Sequence, residues 1–381
     1  MRSLLNLTAA LLLSTLACVP VAAIADDRPP TLQDEKGWTL VVMPDTQYYT
    51  VRARNQPILE LMTAWIESNI DPLNIKMVVQ VGDLIERSGK ITPDAKQGDQ
   101  TTRQQWEAVS RAFARLDGKV PYLAATGNHD YTTDDMGRKR WTQYADYFTP
   151  ERNHLVQRSL VQNGRNQDGE PTLENAALEL KGLNGHDYLF MNLEYGPRDE
   201  VLAWAKQVVS LPQYAEHQVI VTTHDYLNAK DQHTREKSGV SLAGAGLAER
   251  YSLNVDGAIS ARKQTLEDGN SGTQVFEKLI RPSRNIGMVL SGHISGDGYR
   301  VDDNQAGKPV HQMLFDAQSI GGGNGGDGWL RLLEFSPDGR TVKVRTFSPL
   351  FWSSPSTRQL AWKTDARNEF TVSFDDAQAG R

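Results

Sequence analysis

Cysteine is almost absent from this chain, since Cys18 is the only one among its 381 residues. Cys18 lies in an apolar run near the N-terminus, and the residues after that run contain no thiol at all. This part of the chain therefore cannot form a disulfide or offer a thiolate to a metal ion. We expect its stability to come from a large buried core, for which its length is ample.

Long apolar runs and basic stripes are also scarce. After position 25 no run is apolar enough to cross a membrane. The formal net charge is -6, and the short basic cluster over 137–140 is typical of a solvated loop. We therefore expect a soluble protein without the positive patch that binds a nucleic-acid backbone.

Residues 1–25 have the three parts of a secretory signal peptide. A basic residue precedes an apolar run over 4–19, and a small-residue site follows at 23–25. We predict cleavage before Asp26 and a periplasmic or secreted location. A membrane anchor is the alternative, although the apolar run is short for a span, and a lipid attached to Cys18 is a further one.

Apolar strand-like runs alternate with segments of helical periodicity. Helical repeats of apolar residues begin near Ile58, Trp106, Leu202 and Val275. Strand-like runs lie between them, over residues 77–81, 120–125, 219–223 and 286–290. This alternation predicts an α/β layered fold.

One elaborated domain over 26–381 is the predicted organisation, since the chain shows neither an internal repeat nor a linker-like segment. Its core is expected over about 38–349. Two stretches without clear periodicity, about 132–183 and 226–272, are expected to be loop insertions. Residues 350–381 are predicted to form a C-terminal strand and tail.

Polar side chains follow the apolar strands at their C-terminal ends. Five such ends carry, in chain order, Asp45 with Gln47, Asp83, Asn128 with His129 and Asp130, His224 with Asp225, and His293. Each one alone reads more readily as a turn, a helix cap or a hydrogen-bonded structural residue. Together they predict a ligand site at the carboxyl edge of an α/β sheet.

The residue types at these strand ends fit a divalent cation. Carboxylates, imidazoles and a carboxamide without thiolate suit Mn, Fe, Zn or Mg. Carboxylates brought this close would raise one another's pKa, and bound cations would remove that repulsion.

The strand ends form ordered blocks with a known counterpart. The chain resembles the calcineurin-like metallophosphoesterase superfamily over about 38–349, in the blocks DTQ (45–47), GDLIE (82–86), GNHD (127–130), THD (223–225) and GHIS (292–295). The resemblance implies a four-layer α/β/β/α sandwich. It also implies two divalent metal ions at the strand ends.

The resemblance assigns the metal ligands position by position. Asp83 would bridge the two metals. Asn128, His224 and His293 would complete one site, and Asp45 would belong to the other.

Gln47 and Ser295 depart from the pattern, because the superfamily has histidine at both positions. Both would serve the same metal, which loses two imidazole donors and should shift toward oxygen-loving ions. We favour a weak site formed by Asp45, Gln47, Asp83 and water. His311 could instead replace the missing ligand, or the site could be empty and the protein inactive.

The function implied by the resemblance is hydrolysis of a phosphate monoester or diester by a metal-bound hydroxide. His129 would stabilise the transition state or act as general acid, with Asp130 orienting its ring. The expected substrate is a phosphorylated small molecule or lipid. One alternative is a catalytically impaired member that binds a phosphorylated ligand or partner, and another is a single-metal hydrolase.

Overall fold

A computed structural model describes residues 27–88, 92–93, 98–132, 140–235, 252–254, 263–265 and 268–375. The predicted signal peptide over 1–25 lies outside these residues, as does much of the predicted insertion over 226–272. Within the described residues, no helix is both long and apolar enough to span a membrane.

Strands and short helices alternate along most of the chain. The strands are β1 (Trp38–Met43), β2 (Ile75–Gln80), β3 (Tyr122–Ala124), β4 (Leu160–Arg165), β5 (Pro171–Leu183), β6 (His186–Asn192), β7 (Gln218–Thr222), β8 (Ser252–Asn254), β9 (Lys263–Thr265), β10 (Ile286–Ser291), β11 (Gly296–Asp303), β12 (Pro309–Asp316), β13 (Leu330–Phe335), β14 (Thr341–Phe347), β15 (Trp362–Lys363) and β16 (Glu369–Ser373). The helices are α1 (Gln47–Thr50), α2 (Gln56–Ser68), α3 (Thr102–Ala114), α4 (Tyr144–Tyr147), α5 (His154–Ser159), α6 (Asp199–Val209), α7 (Gly272–Val275), which continues into a π-helical turn (Phe276–Ile280), and α8 (Pro349–Trp352).

Two mixed seven-stranded sheets form the centre of the fold. The first has the order β15-β14-β13-β1-β2-β3, with β16 also paired to β14, and the second has the order β11-β12-β10-β7-β6-β5-β4. Strands β1, β2 and β3 run parallel in the first sheet, and β6, β7, β10 and β12 run parallel in the second. The predicted α/β class is therefore confirmed.

The two sheets share one hydrophobic core. Trp38 of β1 stacks on Phe335 of β13 at a centroid distance of 4.1 Å and meets Tyr188 of β6 edge-on at 5.0 Å. The same cluster takes in apolar residues of β2, β10, α2 and α3. A second cluster joins the second sheet to α6 and to the α7 segment. Each large apolar side chain buried in these clusters contributes roughly 1.5–3 kcal/mol.

Helix α3 shows how local sequence starts an element that the core then holds. Thr101 Oγ1 accepts a hydrogen bond from the N–H of Gln104, and Gln104 Oε1 accepts one from the N–H of Thr101. This reciprocal cap satisfies donors that the first turn leaves open. Trp106, Val109 and Phe113 then face the core at helical spacing and are fully buried.

The stretch 132–183 is not the aperiodic insertion that the sequence predicted. Its described part contains α4, α5, β4 and β5, and β5 pairs with β6 inside the second sheet. The strand was missed because buried polar residues interrupt its apolar pattern. Glu174 accepts a hydrogen bond from the hydroxyl of Tyr131, and Asn175 donates one to Glu194 at 2.9 Å. A buried polar group is tolerated when it is paired in this way.

Candidate metal centre

The parallel strands bring the predicted ligands to one edge of the molecule. The carboxyl ends of β1, β2 and β3 carry Asp45, Asp83 and Asn128, and those of β7 and β10 carry His224 and His293. Hydrogen bonds join the two sheets at this edge. His224 Nδ1 lies 2.8 Å from the carbonyl oxygen of Val81, and the N–H of His293 donates to Asp45 Oδ2 at 3.1 Å.

Asp83, His224 and His293 form the centre of the site. One ligand atom from each lies within 4.8 Å of the others. His224 Nδ1 must donate to Val81, because a carbonyl can only accept, so Nε2 of a neutral ring presents a lone pair to the carboxylate of Asp83 at 3.2 Å. Two electron-rich groups at that distance need a proton or a cation between them.

Two buried carbonyl oxygens support a cation site. Among the described residues, neither Gln47 Oε1 nor Asn128 Oδ1 meets a hydrogen-bond donor. A buried oxygen without a donor costs roughly 1–3 kcal/mol, and a bound cation would remove that cost. The donor set therefore fits divalent metal ions.

Charges in the site are arranged for a cation as well. Burial raises the pKa of Asp45 well above its usual range, and the like charge of Asp316 adds to this. Burial opposes ionisation of Asp83 too, but the charges of His224 and His129 outweigh it and hold the Asp83 pKa low. Burial disfavours the charged form of His224, yet the carboxylates of Asp83 and Asp45 raise its pKa to about 10. A proton on His224 thus supplies positive charge that a metal ion would supply instead.

Backbone strain is concentrated at two of the predicted ligands. Asp83 has a φ of 53° and His293 a φ of 74°, in the left-handed region that residues other than glycine rarely adopt. Each such conformation costs on the order of 1–3 kcal/mol and persists only where the surroundings enforce it. The strain turns both side chains toward the shared edge.

Glycines of three motifs allow the predicted ligands to approach the backbone. A Cβ added at Gly82 would lie 2.4 Å from His224 Nδ1, one at Gly127 would lie 2.0 Å from Asp83 Oδ1, and one at Gly292 would lie 2.1 Å from Asp45 Oδ1. These distances are far below van der Waals contact. The motif glycines are therefore required for close packing around the ligands.

Gly127→Ala should weaken metal binding by at least about tenfold, because the new methyl group would displace the buried carboxylate of Asp83. Gly287→Ala is the matched control, since its added Cβ would meet the ring edge of Phe374 on the core side of β10. Metal affinity measured by titration calorimetry should fall in the first variant only. Equal affinity in both variants would contradict this role of Gly127.

His129 lies beside the cluster and is held by Glu86. The backbone N–H of His129 donates to Asp83 Oδ1 at 2.9 Å. Ring Nδ1 lies 2.7 Å from the backbone carbonyl oxygen of Glu86 and 3.2 Å from its side-chain Oε2. Ring Nε2 faces Asp83 Oδ2 at 4.0 Å. Burial lowers the pKa of His129, but the carboxylates of Glu86 and Asp83 outweigh it and raise that pKa.

Asp130 is placed differently from the prediction. Its carboxylate accepts hydrogen bonds from the N–H groups of Leu84, Ile85 and Gly127, at 3.1, 3.0 and 2.7 Å. These bonds brace the turn that carries Asp83. Among the described contacts of the His129 ring, Glu86 occupies the position that we had predicted for Asp130.

Ser295 and His311 do not supply the missing imidazole. Ser295 is exposed, and its hydroxyl lies 3.3 Å from Asp316 Oδ2 and 2.8 Å from Ser319 Oγ. Both ring nitrogens of His311 are engaged, Nδ1 with the Tyr299 hydroxyl and Nε2 with the Ser373 carbonyl, each at 2.8 Å. The suggestion that His311 replaces a ligand is therefore wrong for this arrangement.

Glu86 and Asp316 were missed as site residues. Glu86 belongs to the GDLIE block, but its spacing from His129 gave no sign of contact. Asp316 ends the apolar strand β12, and this is the signal that singled out the other ligands. Burial raises its pKa to about 6.

Comparisons with known proteins find similar sequences over most of this chain. A model of the family described as calcineurin-like phosphoesterase matches residues 39–295. The uncharacterized protein YvnB of Bacillus subtilis (strain 168) is 30% identical over 363 residues, which cover 92% of this chain and 23% of that protein. The chain thus spans about a quarter of the length of this curated relative.

One solved structure is similar over most of both chains. GAP50, described as the anchor in the inner membrane complex of Plasmodium, aligns with 90% of each chain at a TM-score of 0.44 and 10% identity. The family assignment depends on the sequence match over 39–295, which includes all five motif blocks. The chain belongs to the calcineurin-like phosphoesterase family.

Proposed function

We propose that this protein hydrolyses phosphate esters with the help of divalent cations. The observation that carries the proposal is the convergence of buried imidazole, carboxylate and carboxamide donors at one sheet edge, with two carbonyl oxygens that meet no donor among the described residues. A phosphorylated small molecule or lipid is the proposed substrate class. The family assignment supports the general chemistry.

The ligands fall into two groups around Asp83. Asn128, His224 and His293 would hold one cation together with Asp83. Asp45 and Gln47 would contribute to the other. When bound, the cations would neutralise phosphoryl charge and lower the pKa of water toward about 7.

His129 is the proposed proton donor. The Glu86 carbonyl fixes ring Nδ1 as a donor, and the carboxylates of Glu86 and Asp83 favour the protonated ring. Nε2 then carries a second hydrogen on the side that faces Asp83. It can donate that hydrogen to a phosphoryl oxygen or to the leaving group, as a general acid requires.

Binding of a phosphorylated ligand without turnover is the second candidate. It is favoured by one observation, the neutral Gln47 and the exposed Ser295 where the family pattern has imidazoles. The retention of Asp83, His129, His224 and the other donors supports hydrolysis more strongly.

Metal removal tests the proposal directly. The purified protein would be stripped with a chelator and reconstituted separately with Mn²⁺, Fe²⁺, Zn²⁺ and Mg²⁺. Hydrolysis of bis-p-nitrophenyl phosphate and p-nitrophenyl phosphate should fall to background after stripping and return with at least one ion. A folded, metal-loaded protein that hydrolyses neither ester but binds inorganic phosphate would favour the binding function instead.

We also propose that the protein acts outside the cytoplasm, in the periplasm or the medium. The support is the leader-like composition of residues 1–25. N-terminal sequencing of the protein recovered from an exported fraction should begin at Asp26.

A further inference from the structure

Asp316 reaches the ligand edge from a strand that no motif block includes. Strand β12 runs parallel to β10, with Ser291 opposite Leu314. Asp316 is the last residue of β12, opposite Gly296 of β11, and its Oδ2 lies 3.3 Å from Ser295 Oγ in the block that carries His293. The carboxylate therefore stands at the same edge as the metal ligands.

The Asp316 carboxylate is buried and fixed in orientation. Only 1% of the Asp316 surface is exposed to solvent. Oδ1 accepts a hydrogen bond from the N–H of Gln318, and Oδ2 accepts one from Gln318 Nε2, both at 2.8 Å. Ser295 Oγ adds a longer bond to Oδ2 at 3.3 Å. These donors are all neutral, and Oδ1, which accepts a single hydrogen bond, has a further lone pair to offer.

Asp316 shares this edge with other acids and with the imidazole of His224, whose charge also acts on it. The charge of Asp316 acts on Asp45 and on Asp83. Within the described residues, neither lysine nor arginine forms an ion pair with Asp45, Asp83 or Asp316. Buried carboxylates without a cation are costly, and two of them at one place cannot both ionise readily.

Gln47 provides the independent sign that this side of the edge is built for a ligand. The residue is 1% exposed, and its Oε1 meets no donor among the described residues. Gln47 follows Asp45 on the same turn. An amide oxygen and three carboxylates are the donor types that hard divalent cations prefer.

We propose that Asp316 is a metal ligand of the second cation position and takes the place of the imidazole that Ser295 cannot supply. The proposal rests on the proposed function, since it concerns the same metal centre. The two positions then differ in chemistry. One has the imidazoles of His224 and His293, and the other has only oxygen donors, from Asp45, Gln47, Asp83 and Asp316.

The rival role for Asp316 is to orient Ser295 without touching a metal. The two roles separate in variants of each residue. Asp316→Asn keeps an oxygen that can accept from Gln318 and removes the charge, so the metal-free fold should persist. Ser295→Ala removes only the hydroxyl, and a ligand role for Asp316 predicts that this change has little effect.

Counting bound Mn²⁺ tests the assignment without any turnover. The stripped wild-type protein should bind two Mn²⁺ per chain in titrations followed by elemental analysis and electron paramagnetic resonance. Asp316→Asn should keep one and bind the other at least about tenfold more weakly, whereas Ser295→Ala should bind both as wild type does. The double variant Asp316→Asn, Ser295→His should regain the second ion.

Several outcomes would overturn the proposal. They are two wild-type sites in Asp316→Asn, only one Mn²⁺ in the saturated wild-type protein, or equal loss of metal in Ser295→Ala. Circular dichroism would check that each variant folds. If Asp316→Asn does not fold, competition in the wild-type protein decides: Zn²⁺ should displace Mn²⁺ from one position far more readily than from the other, and equal displacement would refute an oxygen-only position.

The ligand assignment of Asp316 and the proposed hydrolytic function can be refuted independently of each other. Two Mn²⁺ in the wild-type protein and one in Asp316→Asn, without hydrolysis of any ester, would leave the ligand assignment standing and refute the proposed function. Hydrolysis by an Asp316→Asn protein that still holds two Mn²⁺ would support the proposed function and refute the assignment of Asp316 as a ligand.

Discussion

Asp83→Asn should lower kcat/KM for bis-p-nitrophenyl phosphate by more than about 10³-fold and release bound metal. In the proposed arrangement Asp83 serves both cation positions, and its carboxylate is held in place because Oδ1 accepts from the backbone N–H of His129 and Oδ2 faces His224 Nε2. An amide NH₂ in place of Oδ2 would donate to that nitrogen. The amide hydrogen would then occupy the position between residue 83 and His224 where a cation would bind.

The same substitution should leave the metal-free fold intact. The side-chain amide of the variant can donate a hydrogen bond to His224 Nε2, which lies 3.2 Å from the oxygen that it replaces. The change also removes a negative charge close to Asp45 and Asp316. Asp303→Asn, at an exposed position of β11, is the matched control and should change neither rate nor metal content. Wild-type activity in Asp83→Asn would be incompatible with the proposed function.

The ligand edge was predictable from sequence because parallel strands repeat one local pattern. Each run of buried apolar residues ends where the chain leaves the sheet, so a polar residue there has to face a common edge. Asp45, Asp83 and His293 were found in this way. Asp316 ends β12 in the same manner, but it lies outside the five motif blocks.

Contacts that depend on backbone conformation were not predictable. The family resemblance implied that Asp130 orients the ring of His129, yet ring Nδ1 lies 2.7 Å from the carbonyl of Glu86, which is 43 residues earlier. Asp83 adopts a left-handed conformation, and the turn after it brings Glu86 back toward His129. A hydrophobic pattern in the sequence does not predict such a turn, because the turn is held by hydrogen bonds to Asp130, which is distant in sequence.

Buried polar residues hid a part of the sheet for a related reason. Strand β5 carries Glu174 and Asn175, whose partners Tyr131 and Glu194 lie far away in sequence. A sequence pattern predicts that such polar residues are exposed, because the distant hydrogen-bond partners that offset the cost of burying them are not apparent from the sequence. The stretch therefore looked like a loop.

His129→Asn should lower kcat by about 10²–10⁴-fold while the protein keeps its bound metal. The ring is the only part of His129 removed, and the backbone N–H that supports Asp83 Oδ1 remains in place. Metal content by elemental analysis and kcat on p-nitrophenyl phosphate would be measured together. His154→Asn, at an exposed position of α5, is the control.

Glu86→Gln and Asp130→Asn then separate the two candidate partners of that ring. Glu86→Gln removes the carboxylate 3.2 Å from Nδ1 but keeps the carbonyl that accepts from it, so kcat should fall by about tenfold with metal content unchanged. Asp130→Asn replaces an acceptor of three N–H groups and should act on the Asp83 turn, which lowers metal affinity and thermal stability. If Asp130→Asn instead lowered kcat at full metal content and Glu86→Gln had no effect, Asp130 would be the residue that holds the ring.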